Sequence, residues 1–186
     1  ITILTPGKKI YLEDIATTSM LYNNIPVQIT RTNTQPFSPP PFMVGMAETD
    51  IDPLTGKVEV VDYVAVVDCG TPINHNLATV QTEGGIVQGI GMALTETVTY
   101  TDKGQIMENS FMQYKIPART DIGSLRIDFA GSYEPTGPYG AKSIGEIVIN
   151  TPSPAINAAV ASAIGKFHYT LPIRPESVLD ALEEKK

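Results

Sequence analysis

The stretch Phe42–Gly70, "FMVGMAETDIDPLTGKVEVVDYVAVVDCG", decides the fold. Two β-rich arms, "FMVGMAETDID" and "KVEVVDYVAVVDCG", flank the turn "PLTG". Two such arms joined by a short Pro- and Gly-containing turn predict a β-hairpin. Side chains alternate along a strand. In the second arm Val58, Val60, Asp62, Val64 and Val66 therefore share one face, and Glu59, Val61, Tyr63, Ala65 and Val67 share the other. Both faces turn apolar toward the end of the arm, which predicts a central strand.

Upstream, "QPFSPPPF" from Gln35 to Phe42 is a stiff connector, because proline fixes its backbone angle and cannot extend a helix. Before it, "YLEDIATTSMLYN" predicts a short helix led by acidic residues, and "PVQITRT" predicts a strand. Downstream, "NLATVQTEGGIVQGIGMALTE" (Asn76 to Glu96) predicts a long helix, with Leu77, Val80, Gly84, Val87, Gly91 and Leu94 recurring at helical steps. Glycines inside a helix cost roughly 1 kcal/mol each relative to alanine. Gly84, Gly85, Gly89 and Gly91 thus imply that the backbone approaches something closely. "VTYTDKGQIME" predicts a second hairpin turning at Asp102-Lys103-Gly104, and "SFMQYKIPA", "SLRIDFAGS" and "HYTLPI" predict strands. "SPAINAAVASAIGK" predicts a helix capped by Gly165, and "RPESVLDALEEKK" a closing helix with proline near its start. The expected fold class is α+β, a mixed, largely antiparallel sheet with helices packed on one side.

Composition bounds the function. A chain of 186 residues can bury a sizeable core as one large domain. Thirteen basic against twenty acidic residues leave a net charge of −7, which disfavours phosphate backbones and anionic membranes as partners. No apolar run is expected to span a bilayer. The start, "ITILTPGKKIYLED", lacks the order of a signal peptide and an initiator Met, so the chain reads as a trimmed piece or part of a longer polypeptide. Cys69 is the only cysteine, whereas an iron–sulfur cluster needs about four thiolates. His75 and His168 lack metal-ligand spacing, so no protein-derived metal site is expected.

The stretch "GAKSIGE", Gly140 to Glu146, poses a narrower question. A glycine-bracketed segment ends in one carboxylate, which either starts a helix or is delivered to a site. Lys142 and Ser143 could meet a phosphate or face solvent, and Gln81 on its own reads as a polar residue on an exposed helix face.

Three segments, taken together, narrow these choices. "VVDCGTPINHNLATVQTEGGIVQGIG", "NSFMQYKIPARTDIG" and "EPTGPYGAKSIGE", in this order and spacing, resemble the C-terminal part of the molybdenum-binding subunit of the xanthine dehydrogenase and aldehyde oxidase family, the molybdenum hydroxylases. The resemblance extends from about Ile10 to Leu182 and includes "PPPFMVGMAETDIDPLTGKVEV" and "LPIRPESVL". It implies a molybdopterin-binding domain over residues 1–186, as a fragment or separately encoded part of that subunit. It implies that Glu146 is the catalytic general base of an oxidative hydroxylation of an aldehyde or N-heterocycle. Gln81 would hydrogen-bond the pterin, and Gly84, Gly85, Lys142, Ser143 and Gly145 would lie at the cofactor. The cofactor implied is molybdenum–molybdopterin, the cytosine dinucleotide form included, with iron–sulfur clusters and FAD on partner chains. Ile147 and Val148 stand where some relatives carry two prolines, which weakens any transfer of substrate preference. The implied partners are the remainder of the molybdenum subunit, an iron–sulfur subunit and a flavin subunit, in the cytoplasm, and the surface meeting the missing part is expected to be apolar. The competing reading is a non-catalytic structural or assembly module derived from that subunit.

Overall fold

A computed structural model describes residues 2–5, 8–22, 28–36 and 38–184, with side chains described from residue 9 onward. The chain divides into two compact units, Ile1–Gln35 and Pro36–Lys186. In the first, β1 (Thr2–Thr5) pairs antiparallel with β2 (Lys8–Tyr11), which runs directly into α1 (Leu12–Leu21). Glu13 and Asp14 occupy the first turn of α1, where carboxylates suit the exposed N–H groups. The opening strand pair was not legible in the sequence. Of the expected strand over 26–32, residues 26 and 27 lie outside the described residues, and 28–32 form no strand.

The second unit is built on the hairpin. β3 (Phe42–Ile51) pairs antiparallel with β4 (Val58–Asp68), and β5 (Ile122–Phe129) pairs parallel with the other edge of β4. The sheet is therefore mixed, in the order β3-β4-β5, and β4 is its central strand. The turn closes through Asp52, whose carboxylate accepts from the Leu54 N–H and the Thr55 hydroxyl, while Gly56 takes a left-handed φ of 73°. Strict alternation along β4 fails at one point. Glu48 pairs with Asp62 but Thr49 pairs with Val60, so Val61 is an extra residue in a β-bulge. The bulge swaps faces: Val60 is buried on one side of it, and Tyr63, Ala65 and Val67 on the other.

α2 (His75–Leu94) follows β4, with the Asn74 side chain accepting from the Leu77 N–H at its start. α3 (Ile147–Asn150), α4 (Pro152–Ile164) and α5 (Pro175–Glu184) complete the helical layer, and Gly165 caps α4 at φ 83°. α4 packs on β3, and α2 on β5, α3 and α4. The core is Val60, Tyr63 and Ala65 against Ile86, Ile90, Ile156, Val160 and Val178, each nearly or fully buried. The Ile147–Ile164 stretch, mean hydropathy 1.3, is apolar and long enough to cross a membrane. That corrects the expectation of no such run, but Val148, Ile156, Val160 and Ile164 are core residues here. On the opposite face of the sheet Phe42, Val44, Met46 and Val66 are exposed.

Two further expected strands are not formed. "SFMQYKIPA" forms turns, the Gln113 and Tyr114 N–H groups both donating to the Ser110 carbonyl, and Phe111 and Met112 are exposed. "HYTLPI" forms no strand either; Ile173 instead donates its N–H to the Ala93 carbonyl at the end of α2. The second hairpin is reduced to a single bridge, Tyr100 to Ile106, around Gly104.

Candidate cofactor and acid–base site

The glycines of α2 sort into two sets. A Cβ on Gly85 would overlap the Val148 side chain, and one on Gly89 would lie 2.7 Å from Pro152. These positions let α2 sit directly against α3 and α4, and the Ser153 hydroxyl donates to the Gly89 carbonyl at 3.1 Å. Gly91 is similarly hemmed in by Glu96 and Pro117. Gly84 is different: nothing lies within 4 Å of where its Cβ would be. It lines an open groove of about 1010 Å³ together with Val80, Val87, Arg119 and Leu125.

Gln81 lies one turn before Gly84 on α2, exposed, and donates a side-chain N–H to the Gly145 carbonyl at 3.3 Å. Residues 64 positions apart in sequence, an amide on a helix and the peptide next to Glu146, are thereby brought together. Glu146 is exposed and precedes α3 with φ −98° and ψ −26°. Its side chain makes no capping bond at the start of α3. Val148, fully buried in the notch at Gly85, fixes the backbone just beyond Glu146. Tyr63 braces the next junction, its hydroxyl 2.9 Å from that of Thr151; burial raises its pKa, and the Thr151 hydrogen bond partly opposes the shift.

The approach to Glu146 is held by polar contacts. Tyr139 and Gly140 both take positive φ, 54° and 83°, which turns the chain sharply back toward β4. Gly70 and Ala141 form an antiparallel bridge, the Thr71 N–H donates to the Gly140 carbonyl at 2.8 Å, and the Lys142 N–H to the Cys69 carbonyl at 2.7 Å. Lys142 Nζ donates to Asp68 Oδ2 at 2.5 Å, with the lysine side chain only 8% exposed. Asp68 Oδ1 accepts from the Ser132 hydroxyl at 2.5 Å and the Gly70 N–H at 3.1 Å. The Lys142 ammonium, then the Ser132 hydroxyl, hold the Asp68 carboxyl down to about 2. Lys142 is thus engaged by a carboxylate, Ser143 is exposed, and Gly145 has open space beside it. Asp68 and Ser132 were not singled out by the sequence, and Val148 only as a departure from a proline pair, not as a packing residue. A lone acid at a strand end, a serine in a loop and a valine in an apolar run carry no local signal.

Among the described residues no three His, Cys, Asp or Glu side chains gather as a metal-ligand set. What the chain offers is an amide at Gln81, a carboxylate at Glu146 and unobstructed backbone at Gly84 and Gly145. That set fits a cofactor which carries its own metal ligands and presents a polar heterocycle to the protein, since an amide both donates and accepts.

The molybdopterin cofactor-binding domain family matches residues 6–123. The chain is 34% identical over 152 residues to "Probable hypoxanthine oxidase XdhD" of Escherichia coli (strain K12), covering 77% of this chain and 15% of that protein. The crystal structure of quinoline 2-oxidoreductase from Pseudomonas putida 86 superposes with a TM-score of 0.68 at 36% identity, over 73% of this chain and 18% of that one. Reconstituted CO dehydrogenase from Oligotropha carboxidovorans superposes with a TM-score of 0.73 at 25% identity, over 96% of this chain and 23% of that one. The chain thus spans less than a quarter of each of these relatives. With its mixed sheet, its helical layer and the match over most of its length, the chain belongs to the molybdopterin cofactor-binding domain family of the molybdenum hydroxylases.

Proposed function

We propose that this chain supplies the general base and part of the molybdopterin site of a molybdenum-dependent hydroxylase acting on an aldehyde or an N-heterocycle. The observation that carries the reading is the Gln81–Gly145 hydrogen bond, which joins the candidate cofactor amide to the peptide beside the candidate base. When bound, the molybdenum cofactor supplies the two-electron acceptor and the Lewis acidity for hydroxylation. The net change converts a substrate C–H and water into C–OH, two protons and two electrons. Glu146 accepts one of those protons on its carboxylate as the oxygen nucleophile forms its bond to carbon. Gln81 contributes a polar contact to the pterin and holds the Gly145 peptide, and Gly84 leaves the helix backbone approachable. Ser143, exposed, and Gly145, with open space beside it, leave room for the cofactor along the loop. The cytosine dinucleotide form is compatible with these contacts.

Because the chain spans 15% of a relative's length, the rest of the site belongs to the remainder of the molybdenum subunit. Electrons leave through iron–sulfur clusters and FAD on partner chains, since this chain has a single cysteine. The assembly is cytoplasmic in this reading. The test is Glu146→Gln in the assembled enzyme, followed by rapid-mixing reduction with substrate. Positioned acid–base groups contribute roughly 10²–10⁴-fold to rate. The rate of reduction should fall by about that factor while molybdenum content and melting temperature hold. Near-normal reduction at full molybdenum content refutes the assignment.

A further inference from the structure

We propose that Asp68 and Lys142 are positioning residues for Glu146: their ion pair pins the start of the Gly140–Glu146 segment to the end of β4, and so sets where the Glu146 carboxylate stands. This rests on the reading of Glu146 as the base. The geometry argues for it in three steps. First, the segment is held at its two ends: at residues 140–142 by the Cys69–Thr71 backbone and the Glu134 N–H, which donates to the Gly140 carbonyl, and at Gly145 by Gln81. Only Ser143 and Ile144 separate the two anchors, so a shift at the first is transmitted to the second. Second, Gly140 and Gly145 flank the segment with little intrinsic stiffness, which leaves its course to the anchors. Third, the first anchor is more than a backbone bridge. The Lys142 side chain is 8% exposed, its Nζ lies 2.5 Å from Asp68 Oδ2, and it stands 5.3 Å from the centroid of the Phe42 ring. Asp68 is itself oriented by Ser132 from the chain following β5 and by the Gly70 N–H. The pair therefore ties together the ends of both parallel strands and the loop that presents Glu146.

The experiment uses the assembled enzyme carrying this chain, with Lys142→Met, Asp68→Asn, Ser132→Ala and Lys142→Arg, and Lys142→Met combined with Glu146→Gln. Benzaldehyde and hypoxanthine serve as reductants. Hydrogen exchange across residues 140–146 is read on the same samples, with α4 as internal reference. A misplacement of about 1 Å at a reacting group can cost on the order of 10²-fold. Lys142→Met and Asp68→Asn should slow reduction about 10- to 100-fold with little change in KM, and raise exchange at 143–146 but not in α4. Lys142→Arg should recover most of the loss, and Ser132→Ala should show the same pattern more weakly if the stronger variants fold poorly. Residues that act through one group are non-additive, so the double variant should be no slower than Glu146→Gln alone, within about threefold. Unchanged exchange at 143–146 in Lys142→Met overturns the inference, whatever the rate. So does a double variant slower by the product of the single losses, or loss of molybdenum with exchange unchanged. Glu146→Gln at wild-type rate overturns the base assignment first and this inference with it. A slow Glu146→Gln beside a full-rate Lys142→Met overturns this inference alone.

Discussion

The chain is held differently on the two sides of Glu146. After it, Val148 fills a dry notch against Gly85, and Gly89 lets Pro152 follow. Before it, the hold is polar: a backbone bridge, an ion pair and a hydroxyl gathered around Asp68. Apolar packing depends on shape and holds no titratable group, while the polar side depends on a carboxylate staying charged. A carboxylate delivered between two such anchors can be displaced from either, and the two displacements should look different in experiment.

The largest effect on folding should come from the dry side. Val148→Ala removes buried methyl groups next to a helix that cannot close in, and should cost about 2 kcal/mol in denaturant unfolding. A loss under about 0.5 kcal/mol would mean that the notch does not anchor α3. Gly85→Ala probes the same contact from the other side. Overpacking costs about 1–3 kcal/mol, offset by about 1 kcal/mol of helix propensity. A net loss of roughly 1 kcal/mol is expected, and a stabilised variant would show that α2 and α3 can separate freely.

The polar side should reveal itself through pH. The Asp68 pKa is lower in the folded chain, about 2 against an ordinary 3.8. Its contribution is therefore complete above the ordinary value and disappears as pH falls from about 4 through about 2. Acid titration of thermal stability should show a component in that window that Asp68→Asn removes. The same acid profile in the variant would assign that component to other carboxylates. Smallest of all should be Gln81→Ala. One exposed hydrogen bond at 3.3 Å contributes about 1 kcal/mol at most to folding. Its readout is cofactor occupancy in the assembled enzyme, which should fall several-fold; full occupancy with unchanged turnover would leave Gln81 a surface amide.

The candidate site was reached from the sequence through a family resemblance. The motifs ending in "VQTEGGIVQGIG" and "GAKSIGE" carried that resemblance, which implied Gln81 and Glu146, while glycines inside a helix implied close approach. What they approach was not legible. Gly85, Gly89 and Gly91 meet protein, and Gly84 meets open space, although all four sit in one helix with the same residue type. Similarly, nothing local to Lys142 distinguishes a phosphate ligand from a buried ion-pair partner. "SFMQYKIPA" has strand-like composition but folds into turns around the Ser110 carbonyl.

By itself the sequence determined the elements whose causes are local. The β3–β4 hairpin follows from alternation and a Gly-containing turn, α2 from its helical period, and the end of α4 from Gly165, which adopts the left-handed φ of 83° at no steric cost. Only the tertiary structure decided that β5 lies parallel beside β4, that Val61 bulges and swaps the faces of that strand, and that Lys142 meets Asp68. Each depends on groups far apart in the chain, 74 positions for Lys142 and Asp68. Local propensity carries no term for such a pair: it forms only when packing of the whole sheet and helical layer brings the two charges together and removes water from between them.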